Sequence, residues 1–182
     1  MIIAITGTPG VGKSSVADVL REDGYEVVNL FKIAKDNGFI DGTDEERHSW
    51  IVDVDRLNNY VKKNYTRDGI VFVEGHLSHC LKCANRVIIL RCHPDELRKR
   101  LSLKGWSDEK IKENLEAEIL DVILVEAADI HPFKNIFEID TTSKSLEEVM
   151  LSFNEIINNN FKHMKKYNIG NIDWSEEIFK DF

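Results

Sequence analysis

The sequence predicts an α/β sandwich, a five-stranded parallel sheet with helices on both faces. Three observations carry this. Five short strand-like runs, most of them apolar throughout, recur at residues 2–5, 25–29, 70–73, 87–90 and 136–139. Stretches of helical periodicity separate them, the rhythm of crossover units. A glycine-rich segment joins the first run directly to the first helical stretch. Runs such as Val71-Phe72-Val73 are apolar without alternation, as parallel strands buried on both faces require. The right-handed crossover then favours a doubly wound sheet.

The first run leads into Gly7-Thr8-Pro9-Gly10-Val11-Gly12-Lys13-Ser14. This fits G-x-x-x-x-G-K-[ST] between a strand and a helix, the P-loop pattern. Glycines keep side chains away, so successive backbone N–H groups can face a phosphate, and the helix N-terminus adds partial positive charge. Lys13 is expected to reach the β- and γ-phosphates and the Ser14 hydroxyl to help hold Mg²⁺. The plain alternative, a glycine-rich turn without a ligand, fits the flanking strand and helix less well.

The helix after the loop ends at Gly24, and a helical piece at residues 30–36 follows the second run. Residues 37–52 are polar and rich in turn formers, with a capping-box pattern at Thr43-Asp44-Glu45-Glu46. They interrupt the α/β rhythm and read as an arm rather than core. Val54, Leu57, Val61 and Tyr65 predict a helix over 53–65, and Arg67-Asp68-Gly69 a turn. Past the third run come Glu74-Gly75-His76. His93-Pro94-Asp95 opens a helix to about residue 103, with proline tolerated in the first turn. Ser107 caps the longest predicted helix, running to about residue 128. Ser145 and Glu148 form a capping box for a last helix to about residue 164. The tail, 165–182, carries Trp174 and two phenylalanines, which suit docking onto the body or a partner. Gly7, Glu74, Arg91 and Asp140 each follow or end a strand, so they are expected at one sheet edge, where such folds bind ligands.

At 182 residues the chain suits a single domain. No apolar run approaches a bilayer span and no leader pattern opens the chain, so a soluble intracellular protein without membrane partners is expected. The net charge of −8 argues against a nucleic-acid coat. Residues 91–112 are nonetheless locally basic, through Arg91, Arg98, Lys99, Arg100, Lys104, Lys110 and Lys112. Alone that is a solvated helix face; beside a P-loop it suits polyphosphate. Cys80, Cys83 and Cys92 make no disulfide framework. His76, His79, Cys80 and Cys83 resemble metal ligands, but their spacing is tighter than that of common zinc modules, and ordinary buried thiols are the preferred reading.

Four activities compete for a P-loop: GTPase switch, remodelling ATPase, small-molecule kinase and nucleotide-binding regulator. The sequence has no D-x-x-G or N-K-x-D, which weakens the GTPase. A motor usually needs more chain. A kinase needs an acceptor site and a basic lid, which residues 30–52 and 100–112 could supply.

On these motifs the chain resembles nucleoside monophosphate (NMP) kinases. More narrowly it resembles the adenylate-kinase-like ATPases of archaea and eukaryotic nuclei linked to small ribosomal subunit maturation. The resemblance spans nearly the whole chain. Beyond the loop it rests on Asp53-Val54-Asp55-Arg56-Leu57, Val73-Glu74-Gly75-His76, Leu90-Arg91-Cys92, and Arg100–Trp106 with Lys110–Ile119. It implies one kinase domain with an NMP arm at 28–51 and a lid at 103–113. It implies ATP on Gly10, Gly12, Lys13, Ser14 and Ser15, with Arg100, Lys104 and Lys144 beside it. Mg²⁺ would sit on Ser14 with Glu74 acting through water, and Lys35 and Arg91 would face the acceptor NMP. Catalysis would fall to Lys13, Glu74 and His76. It implies ATP and AMP as substrates, and a small-subunit platform protein and the pre-ribosomal particle as partners, with nuclear localisation in a eukaryote.

The chain departs from ordinary adenylate kinases at Glu74-Gly75-His76-Leu77, where they carry Asp-Gly-Phe-Pro-Arg. Lys35 and Lys104 stand where arginines are usual, keeping charge but losing the bidentate fork. His76 is a candidate to orient water, giving ATP hydrolysis beside, or in place of, NMP phosphorylation; the plain alternative is a hydrogen-bonded loop histidine.

Overall fold

The computed structural model describes residues 1–44, 49–66 and 68–179, without the side chains of Ser49 and Phe179. Strand β1 (Ile2–Thr6) leads through the glycine loop into α1 (Lys13–Glu22). There follow β2 (Glu26–Asn29), α2 (Leu30–Asp36), β3 (Ile40–Asp44), β4 (Ser49–Val52), α3 (Val54–Tyr65) and β5 (Val71–Glu74). The rest is β6 (Arg86–Arg91), α4 (Pro94–Leu103), α5 (Asp108–Ile119), α6 (Val122–Ile130), β7 (Ile136–Asp140) and α7 (Leu146–Asn158). Five strands form the predicted parallel sheet in the order β2-β5-β1-β6-β7. Among the described residues, no helix is long and apolar enough to cross a membrane.

The apolar runs divide by pleat. Ile3, Ile5, Phe72, Ile88, Leu90, Phe137 and Ile139 pack with α1, α4, α5 and α7. Ile2, Ala4, Val73, Val87, Ile89 and Ile136 pack with α2, α3 and α6. Successive side chains point to opposite faces, so an unbroken apolar run serves two cores at once. The capping side chains expected from the sequence are present. Ser107 accepts from the Lys110 N–H, and Ser145 and Glu148 close a reciprocal box.

Three sequence expectations are corrected. The arm contains an antiparallel pair, β3 with β4, so Thr43 and Asp44 lie in a strand and start no helix; Glu45 and Glu46 lie outside the described residues. Arg67 of the predicted turn also lies outside them. The long helix from Ser107 is two helices broken at Leu120 and Asp121, where Asp121 takes φ 55°. The break lets Asp121 bond Arg91, and it turns α6 back over the sheet, where its Ile123 and Ala127 pack against Val87, Ile89 and their neighbours. The last helix ends at Asn158, because Asn160 and Phe161 adopt positive φ and the chain turns to bury Phe161.

Candidate active site

The site lies where β1 ends between β5 and β6, at the carboxyl edge of the sheet. The loop is held open by backbone that only glycine tolerates. Gly7 has φ 138°, and a Cβ there would fall 2.4 Å from the Leu90 carbonyl oxygen. Gly12, at φ 108°, turns the chain into α1. Thr141, just past β7, reaches across to the loop with its Oγ1 3.1 Å from the Val11 carbonyl.

Lys13 is 9% exposed, and its Nζ donates to the carbonyls of Gly7 (2.8 Å) and Thr8 (3.1 Å). Desolvation brings its pKa down to about 8, helped by the charge of Lys104 and opposed by Glu74 and Glu118. An ammonium under that strain gains strongly from an incoming polyphosphate. Ser14 Oγ lies 3.4 Å from Glu74 Oε1, and Asn29 Nδ2 donates to Glu74 Oε2 at 2.6 Å. The parallel register puts Asn29 directly beside Glu74, and Ile5 on its other side. A hydroxyl and a buried carboxylate, both hard oxygen donors, suit Mg²⁺ arriving with a nucleotide.

Two cavities flank this centre. One, about 400 Å³, is lined by Gly10, Gly12, Ser15, Arg100, Lys104 and Lys144 among others. Arg100 is anchored there by Glu96 and by the Thr141 hydroxyl and carbonyl. Lys104 closes α4, and Lys144 Nζ rests on the Asp140 carbonyl. The other cavity, about 220 Å³, is walled by Leu30, Phe31, Trp50 and Leu57 and floored by Gly75, His76 and Leu77. Phe31 and Trp50 lean together with ring centroids 6.3 Å apart, and both are exposed. His76 is solvent-exposed, yet the surrounding protein lowers its pKa by desolvation, and the charge of Lys13 lowers it further. Its carbonyl accepts from Thr6 Oγ1. Lys35 is exposed on α2, one turn beyond Phe31.

Arg91 is placed elsewhere than expected. It is 2% exposed and ion-pairs with Glu118 (2.7 Å), Glu138 (2.6 Å) and Asp121, so no donor of its guanidinium is directed to the Phe31–Trp50 cavity. Burial opposes its charge, but the three carboxylates outweigh that and raise its pKa. It ends β6 opposite Asp140, but its side chain turns under α5 rather than toward the nucleotide edge. Glu118 also accepts from Thr8 Oγ1 of the loop and from Trp174 Nε1 of the tail. The tail thus docks on the body: Trp174 meets His93 edge-on at 5.0 Å, and Tyr167 is buried.

Sequence reasoning missed Asn29, Thr6, Glu118 and Thr141. Asn29 alone carried a local signal, as the polar residue ending a strand and capping the next helix. The others act only through strand register and helix packing. His79 and Cys80 come together, but with Glu126 of α6, whereas His76 and Cys83 contribute no ligand atom to that group.

Comparison with known proteins agrees with this geometry. The AAA domain family matches residues 3–121, from β1 to the end of α5. A protein of Archaeoglobus fulgidus described as "Putative adenylate kinase" is 48% identical over 178 residues, covering 98% of this chain and 94% of its own. One from Pyrococcus furiosus with the same description is 44% identical over 179 residues, covering 97% and 92%. Shikimate kinase from Bacteroides thetaiotaomicron shares the fold, with TM-score 0.58 at 18% identity over 87% of this chain and 98% of that one. With the two cavities, the P-loop and these relatives in hand, the chain belongs to the adenylate-kinase-like NMP kinase family.

Proposed function

We propose that this protein transfers the γ-phosphoryl group of Mg·ATP to AMP or a related nucleoside monophosphate, and hydrolyses ATP when no acceptor is bound. The observation that carries this reading is the pair of cavities on either side of the elements bearing Lys13 and Glu74, one lined by cations and one by aromatics.

In this reading the backbone around Gly10 and Gly12, with Ser14 and Ser15, cradles the donor phosphates. Arg100, Lys104 and Lys144 meet the rest of ATP, and residues 103–113 act as the lid. Lys13 leaves the Gly7 and Thr8 carbonyls for the β- and γ-phosphates, and the negative charge raises its pKa again. Ser14, with Glu74 acting through water and steadied by Asn29, would hold Mg²⁺, which would supply charge neutralisation at the phosphates. The acceptor base stacks in the Phe31–Trp50 cavity, and Lys35 on the arm reaches the acceptor phosphate. An acceptor phosphate oxygen is already anionic, so positioning and charge neutralisation suffice and no strong base is needed.

Water needs more help. His76 lines the acceptor cavity beside Glu74, and its lowered pKa keeps the imidazole neutral at pH 7, able to take a proton from water. That supports hydrolysis as a second activity. The role in small ribosomal subunit maturation rests on the sequence resemblance alone, since Trp174 of the tail is engaged internally.

The test compares ADP formed from ATP plus AMP with phosphate released from ATP alone. AMP-dependent ADP well above the ATP-only background is expected. Steady phosphate release without AMP-dependent ADP would make hydrolysis the main activity and overturn the kinase assignment. Lys13→Ala should abolish both.

A further inference from the structure

We propose that His79, Cys80 and Glu126 form a binding site for a thiophilic divalent cation, Zn²⁺ by its donor set, separate from the nucleotide site. The three donor atoms all lie within 4.8 Å of one another. His79 Nε2 is 3.4 Å from Cys80 Sγ and 2.8 Å from Glu126 Oε2. Bond lengths of about 2.0–2.1 Å to nitrogen, 2.0–2.2 Å to oxygen and 2.3 Å to sulfur give tetrahedral edges of about 3.6 Å for N···S and 3.4 Å for N···O. The nitrogen–sulfur edge is therefore already formed. The nitrogen–oxygen edge opens if the Glu126 carboxylate retreats by roughly half an ångström, the difference between that edge and the observed contact. Its side chain is 52% exposed and has room to do so.

The site is built as metal ligands usually are. His79 is fully buried, and its other ring nitrogen, Nδ1, is held 3.0 Å from Thr6 Oγ1, which fixes the ring. The turn that carries it, Ser78–Cys80, is tied down by Ser78 Oγ to the Ile5 carbonyl, and His131 Nε2 donates to the His79 carbonyl. The side facing Glu126 is open, so water completes the tetrahedron. On binding, the cation replaces the proton shared by His79 Nε2 and Glu126; that proton and the Cys80 thiol proton both leave to solvent, while Nδ1 keeps its own proton toward Thr6 Oγ1. The ring also connects the cation to the active site, because Thr6 bonds the His76 carbonyl and precedes Gly7. The cation therefore stiffens the floor of the acceptor cavity and has no place in the phosphoryl transfer itself.

The full chain, stripped with chelator and free of nucleotide, is titrated with Co²⁺. One equivalent should give intense tetrahedral d–d bands with a thiolate-to-cobalt charge-transfer band, and Zn²⁺ should displace it. Cys80→Ser should lose the charge-transfer band while keeping its far-ultraviolet circular dichroism and ATP binding, so that loss of the band is not loss of fold. Glu126→Gln should weaken Co²⁺ binding at least about tenfold, as even outer-shell partners of metals commonly do. Cys83→Ser should bind as the unmodified chain does. Absence of a thiolate band, or a band that survives Cys80→Ser and vanishes in Cys83→Ser, would overturn the site and leave a hydrogen-bonded His79–Glu126 pair.

Discussion

Lys13 should cost the ligand-free protein stability, and its removal should recover it. The ordinary lysine value is 10.5, and burial brings Lys13 down to about 8. Each tenfold change in proton affinity is about 1.4 kcal/mol, so holding the ammonium in the loop costs about 3 kcal/mol at pH 7. Lys13→Met removes that cost. It also removes two donations, to Gly7 and Thr8, at about 1 kcal/mol each at most. The net gain at pH 7 is about 1–2 kcal/mol, or about 2–8 °C in melting temperature at this size. The sign of the pH dependence follows from linkage. Between about 8 and 10.5 the unfolded lysine holds its proton and the folded one has lost it, so the unmodified protein gains stability as pH rises. The advantage of Lys13→Met should therefore shrink across that window, while other titrating groups cancel in the comparison. Urea unfolding of both proteins at pH 7, 8.5 and 10 measures this. A variant less stable at pH 7, with a gap that does not change with pH, would refute the argument. ATP should raise the melting temperature of the unmodified protein only.

Arg91→Met should destabilise by about 3–5 kcal/mol in chemical denaturation, because it strands Glu118 and Glu138 in the interior; a loss under about 1 kcal/mol would contradict the buried network. Trp50→Ala should raise the KM for AMP about tenfold while phosphate release from ATP alone stays within about twofold, since the ring lines only the acceptor cavity. His76→Gln should lower phosphate release about 100-fold and leave AMP-dependent ADP formation within about threefold. In the unmodified protein phosphate release should fall on acidification with a midpoint below 6.5, because His76 titrates below its ordinary value; a midpoint above 6.5 would remove His76 from that role.

Much of this protein is local and therefore legible in sequence. The Gly7–Ser14 pattern announces a phosphate cradle because its constraints, positive φ at glycines and a helix beginning at Lys13, lie within eight residues. Four of the five runs, those of β1, β5, β6 and β7, announce the parallel sheet because burial on both faces removes any alternation. Ser107 and Ser145 announce helix starts because a cap bonds three residues ahead.

Other features were decided by packing. The break at Asp121 is one, since nothing in the apolar periodicity of residues 108–130 stops the helix until Arg91 is there to be bonded. Arg91 itself reads as a phosphate ligand at a strand end, and only the approach of Glu118 and Glu138 from other elements makes it a buried structural cation. The same holds for Asn29 beside Glu74, set by register between β2 and β5, and for Glu126 beside His79 and Cys80, set by α6 folding back over the Ser78–Cys80 turn. The sequence by itself determined the sheet and the glycine loop with the helix that follows it, because those depend on neighbours along the chain. Only the tertiary structure decided which charges are neutralised inside and which remain for a ligand. That choice depends on carboxylates tens of residues away, and desolvation makes it nearly all-or-none.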